Sequence, residues 1–134
     1  MSMKAIADVY SVSGAPKAPV AVTGTFTSAA IDFANAIENM IVINPGLWTD
    51  GTYTFSFTDS ADNTTYAANT TDLVYQSGNT AFNVISSTAT ALVQKFSYIG
   101  SKRYGKVVCT VATATTGAVL SILSMLRVHK QPTA

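Results

Sequence analysis

Charge is scarce in this chain. Lys, Arg, Asp and Glu make up 11% of the 134 residues, under half of the roughly 25% usual for globular domains. The net charge is +1, which excludes a charge-driven hold on nucleic acid or on an acidic membrane. Cysteine occurs once, at Cys109, so an intramolecular disulfide is impossible. In its apolar run it reads as a small buried hydrophobe and not as a nucleophile. Histidine also occurs once, at His129 beside Lys130. It reads as a solvated residue, whereas a Ser-His-Asp site needs its imidazole inside the fold. Paired Cys or His ligands for zinc are missing, and no glycine-rich loop has phosphate-cradling form. The most apolar stretch, residues 118–128, is too short to span a bilayer as a helix and contains Arg127. The first residues hold one lysine and no long apolar run, so no secretion signal is expected. The glycosylation-type triplets at Asn63 and Asn69 therefore carry no weight. Long amphipathic helices and internal repeats are absent too.

What the chain has is alternation. Residues 48–57 read Trp-Thr-Asp-Gly-Thr-Tyr-Thr-Phe-Ser-Phe. Asp50-Gly51 favours a tight turn, because Gly accepts positive φ and Asp bonds its own backbone. After it, Tyr53, Phe55 and Phe57 share one face of an extended segment, with Thr52, Thr54 and Ser56 on the other. Period two with aromatic and β-branched residues predicts a half-buried strand. Three aromatic rings on one face require a cover, so the rest of the chain is expected to supply a second sheet or a neighbouring subunit.

The remaining segments follow the same logic. Residues 1–19 read as an extended N-terminal arm broken by Pro16 and Pro19, and residues 20–134 as one domain. Short strands are expected from Val20, around Ile31 and over residues 40–43, the last closed by a turn at Asn44-Pro45-Gly46. Asp59 to Asn63 reads as a turn, with residues 64–68 returning as a hairpin strand and Tyr66 pointing inward. Further strands are expected at residues 73–75, 82–85, 91–98, 104–112 and 118–128. Gly105 stands where a β-former belongs and suggests a bulge. Residues 118–128 are apolar on both faces, as in a strand covered on both sides, either in the middle of a sandwich or in a subunit interface. About nine short strands with Gly, Asn and Asp turns predict an all-β, single-domain antiparallel β-sandwich, jelly-roll-like in its winding.

Sites for chemistry are sparse. Asp59, Asp62 and Asn63 could suggest a hard-cation loop, but the EF-hand order is missing and a self-bonded turn explains them better. No carboxylate pair is singled out for glycosidase chemistry. Trp48, Tyr53 and Tyr66 could form a sugar platform, against the commoner reading of core aromatics. Tyr98, Lys102, Arg103 and Tyr104 place the densest positive charge in the chain between two tyrosines. Two charges make no nucleic-acid stripe. Arg and Tyr are favoured anchors in protein interfaces, so these four residues are the candidate partner contacts. Metal and cofactor sites are not expected, nor is catalysis.

Three segments together carry a resemblance: residues 46–55, residues 59–66, and Tyr98-Ile99-Gly100-Ser101-Lys102-Arg103-Tyr104. They resemble a family of small virion proteins of tailed bacteriophages, over roughly residues 32–128, and the last segment is the most distinctive. The resemblance brings no catalytic residue or cofactor. It implies a capsid decoration or cement protein, made in the bacterial host cytoplasm and seated on the capsid surface. Its partners would be the major capsid protein or other virion proteins, and its own copies in a small oligomer, a trimer by preference. A neck, tail or fibre-anchoring role and a carbohydrate-binding sandwich are the alternatives. The arm before residue 20 lies outside the resemblance.

Overall fold

The computed structural model describes residues 10–12, 15–76 and 78–128. His129, the tail beyond it and residues 1–9 of the arm lie outside the described residues. Among the described residues eleven strands form two antiparallel sheets. They are β1 (Tyr10–Val12), β2 (Lys17–Val22), β3 (Phe26–Thr27), β4 (Ile31–Asp32), β5 (Ala36–Trp48) and β6 (Thr52–Ser60). After them come β7 (Ala67–Ala68), β8 (Leu73–Tyr75), β9 (Gln94–Tyr98), β10 (Tyr104–Ala112) and β11 (Ala118–Val128). Beyond the expected strands are β1, inside the expected arm, and the two-residue β3.

The first sheet runs β1-β11-β5-β9-β8, with β2 also on β11; the second runs β3-β10-β6-β7, with β4 also on β10. The chain passes between the sheets after β2, β4, β5, β7, β9 and β10, which is the winding of a jelly roll. From the expected arm, Tyr10–Val12 pairs with Met125–Arg127 and Lys17 with Ile122, both on the chain's own last strand. Pro19 falls in the β2 register shift between Leu120 and Ile122. There, on an edge strand, its missing N–H is tolerated.

The core lies between the sheets. Tyr53, Phe55 and Phe57 are buried as their alternation requires, opposite Val111, Cys109 and Val107 on β10. From the facing sheet come Ile41, Ile43, Phe96, Tyr98, Leu120 and Ile122, all buried. Phe57 packs edge-on against Phe96 at 5.6 Å and tilted against Tyr98 at 5.1 Å. Such pairs add about 0.5–1.5 kcal/mol each beyond their area. The turn at Gly51 has φ +99°. The Asp50 carboxylate beside it accepts the amides of Thr115, Thr116 and Gly117 and so ties two loops together.

Four expectations need correction. Asn44-Pro45-Gly46 is not a turn: β5 continues through it, Pro45 opposite Leu120, and absorbs it as a bulge between Ala118 and Leu120. Pairing of β5 with β9 stops at Ile43, so Pro45 sits where β5 has a single neighbour. Residues 82–85 make no full strand. Ile85 alone bridges Tyr53, while the buried Gln94 amide clamps Asn83 at 2.9 and 3.0 Å. Gly105 marks no bulge, since β10 keeps its register with β6 throughout. A Cβ there would lie 2.3 Å from the Phe57 ring, so glycine makes room for that ring. Finally, β11 is not covered on both sides within the chain. Leu120, Ile122 and Leu126 face the core, but Leu123 on the other side is 39% exposed.

Candidate functional site

The four candidate contact residues meet at one end of the sandwich, where β9 turns back into β10. The last residue of β9, Tyr98, continues the inward row of Gln94 and Phe96. Its ring is buried against Phe33 and Phe57, and its hydroxyl donates to Asp59 Oδ2 at 2.8 Å. Gly100 follows because a Cβ there would fall 2.3 Å from that hydroxyl. The Lys102 amide donates to the same hydroxyl, and its ammonium lies 3.4 Å from Asp59 Oδ1. Arg103 forms a two-pronged pair with Asp32, at 2.9 and 3.0 Å, and its guanidinium lies over the Tyr104 ring at 5.0 Å.

Asp59 is the residue that the expected turn missed. It is 3% exposed, at the inner end of β6 and not in a loop. The signal was in the sequence: Tyr53, Phe55, Phe57 and Asp59 share one parity, so the strand's own period points Asp59 inward. Asn69 Nδ2 donates to Asp59 at 2.7 Å and to Asp72 at 2.9 Å. Burial pushes the Asp59 pKa up, but the bonds from Asn69 and Tyr98 and the nearby Lys102 charge outweigh it and hold the carboxyl below its ordinary value. Burial, reinforced by Asp59, pushes the Tyr98 phenol up to about 12.

Chemically the cluster is a clasp. Its phenol stays protonated, and both cations already have carboxylate partners. Tyr98 offers no ring surface to a partner; Lys102, Arg103 and part of Tyr104 remain on the surface. Beside the clasp lies an open groove of roughly 640 Å³ between residues 33–39 and 98–103. Its lips carry Ile37 and Ile99, 58% and 64% exposed.

The other candidates do not assemble. Asp62 turns away from Asp59: it accepts the Ser60 hydroxyl and the amides of Thr64 and Thr65. The Thr65 and Thr64 amides hold its pKa at about 2. Among the described residues no group of three His, Cys, Asp or Glu side chains could hold a metal ion. Trp48, Tyr53 and Tyr66 share no platform. Tyr53 is fully buried, with its hydroxyl on Val22 O. Trp48, beside the Gly51 turn, donates to Gly51 O. Tyr66, expected inside, lies half-buried on the outer side with Lys106 over its ring at 4.3 Å, at the other end of β6. Burial raises the Cys109 thiol to about 12, as an inert core residue requires. Among the described residues no helix is long and apolar enough to cross a membrane. No family model, curated protein or solved structure matches the chain.

Proposed function

We propose that this chain is a non-enzymatic structural protein of a tailed-phage virion, a decoration or cement protein that binds the head shell as a small oligomer. The resemblance of residues 46–55, 59–66 and 98–104 supports it, and one structural observation carries it: the uneven placement of charge. Asp32, Glu38, Asp59, Lys102, Arg103 and Arg127 sit at the end of the sandwich where β5 begins. At the opposite end, among the described residues, the strand ends and loops hold Asp50, whose carboxylate is engaged by the amides of residues 115–117. That end also exposes Leu47 at 75%, Leu92 at 63% and Val93 at 54%. An end whose carboxylate is already engaged by backbone amides is the less costly one to desolvate against a protein surface, while the other end, with its several charges, keeps the bound particle soluble. By this reading the work of the molecule is adhesion: it buries area between shell subunits and so favours the assembled shell by mass action.

The test is co-sedimentation. Purified protein mixed with undecorated phage heads should pellet with them, and Leu92→Asp should pellet less. Protein left wholly in the supernatant refutes the shell-binding role. Labelled particles viewed by electron microscopy separate head decoration from a neck, tail or fibre-anchoring role.

A further inference from the structure

The two outer faces of the sandwich differ in kind. On the second sheet, directly opposed pairs on the outside are Thr58 with Lys106, Ser56 with Val108, and Thr54 with Thr110. That is the polar exterior an antiparallel sheet presents to water. On the first sheet the central outside pairs are Val42 with Leu123 and Met40 with Met125, flanked by Asn44 with Ser121 and Glu38 with Arg127; Val119 on β11 and Val74 on β8 extend the apolar patch, and Lys95 on β9 stands beside Val42. Leu123 is 39% exposed and Val74 51%. One sequence, one winding and one alternation rule therefore produce a wet face and a dry one. Strand propensity does not explain the dry face, because Thr would serve the strands as well as Met and better than Leu.

We infer that a second copy of this chain packs on this face, which rests on the oligomeric role proposed above and names its surface. Three features favour a like copy over other occupants. First, size: from Val119 to Arg127 the face runs about 27 Å along the strands, and across five strands about 19 Å. The outline is thus at most about 500 Å² in plan, since β1, β8 and β9 do not run its full length, the same order as the roughly 800 Å² per partner of a standard subunit contact. Second, anatomy: aliphatic and Met side chains fill the middle of β5 and β11, with Glu38 and Arg127 at the strand ends and Lys95 of β9 beside Val42, an apolar patch with charge around it. Third, sign: the edge charges include both signs, with Glu38 and Arg127 3.4 Å apart. Two copies of this corner can therefore meet by exchanging acid and base partners, with no uniform like-charge clash.

Sedimentation velocity on the purified full chain, from low to high micromolar concentration, tests this. The wild type should sediment as an oligomer. Leu123→Glu should weaken association about tenfold or more, and Leu123→Thr, which keeps the strand's preference, should weaken it less. Thr110→Glu, on the wet face, should leave it unchanged. Circular dichroism and urea midpoints of all three variants report whether each is folded. Association lost only through unfolding of Leu123→Glu, with Leu123→Thr folded and unaffected, overturns the inference. So does a wild-type monomer, or an oligomer indifferent to both Leu123 substitutions. A monomer whose binding to heads depends on Leu123 assigns the face to the shell and overturns the second copy, while the virion role stands. An oligomer that is sensitive at Leu123 but never pellets with heads supports the inference and refutes the shell-binding role.

Discussion

Replacing Asp59 by Asn keeps the side chain's shape and removes its charge, so it tests the clasp without opening a cavity. In the native protein Asp59 accepts bonds from the Tyr98 hydroxyl at 2.8 Å and the Asn69 amide at 2.7 Å, and pairs with Lys102 at 3.4 Å. Hydrogen bonds to a charged group contribute about 1.5–3 kcal/mol each. Both bonds end on Oδ2, so an Asn carbonyl oxygen there can accept them only in weaker, neutral form, and its own amide group then faces the Lys102 ammonium, which lies beside Oδ1 in the native protein. The Lys102 side chain is 45% exposed, so its ion pair adds only about 0–1 kcal/mol. The expected loss is about 2–4 kcal/mol, a large part of the 5–15 kcal/mol that holds a domain of this size. Tyr98→Phe should cost about 1.5–3 kcal/mol, and the double variant less than the sum, since the two residues share one bond. Urea unfolding followed by the emission of Trp48 measures all three. The pH dependence carries its own sign. The folded-state pKa of Asp59 lies below its ordinary 3.8, so its contribution is complete above the unfolded carboxylate value. It is lost as pH falls through the lower folded one. The gap between wild type and Asp59→Asn should therefore be widest near neutrality and close below about pH 4. A cost under about 0.5 kcal/mol, or a gap that persists unchanged into acid, would refute the clasp as a source of stability.

Two further outcomes follow from other parts of the fold. Gly117 has φ +87°, and a Cβ there would lie 2.2 Å from the Val22 carbonyl oxygen; Gly117→Ala should cost about 2–4 kcal/mol in the same unfolding assay, and a loss under about 0.5 kcal/mol would sink that account. Cys109 is fully buried with its thiol pushed up to about 12, so at neutral pH a thiol reagent should label it only at the rate of unfolding. Labelling that is fast in native buffer and insensitive to stabilising conditions would show that the thiol is reachable.

Much of the fold was legible in the sequence because a strand's period is local. The rows Tyr53-Phe55-Phe57 and Gly105-Val107-Cys109 announce their buried faces wherever the strands end up. The turn at Asp50-Gly51 needs nothing beyond its own backbone chemistry. Asp59 could have been placed by the same parity, but the polar residues after it argued for a loop more loudly. The four contact candidates were legible as a dense, basic, aromatic segment. Their pairing with Asp32 and Asp59 was not, because those carboxylates lie far away in the chain. Asn44-Pro45-Gly46 misled for a related reason: whether such a triplet turns or bulges depends on the strand beside it.

By itself, the sequence decided that the molecule is all strand, that its aromatic residues form the core, and that charge contributes little to its surface. These follow from composition and from side-chain alternation, which act over a few residues. Tertiary structure alone decided which outer face stays apolar, which carboxylate is buried beneath Tyr98, and where β5 bulges to turn Ile37 and Leu47 into solvent. Each of those depends on strand pairing between distant segments, and pairing is set by the energy of the whole packed sandwich.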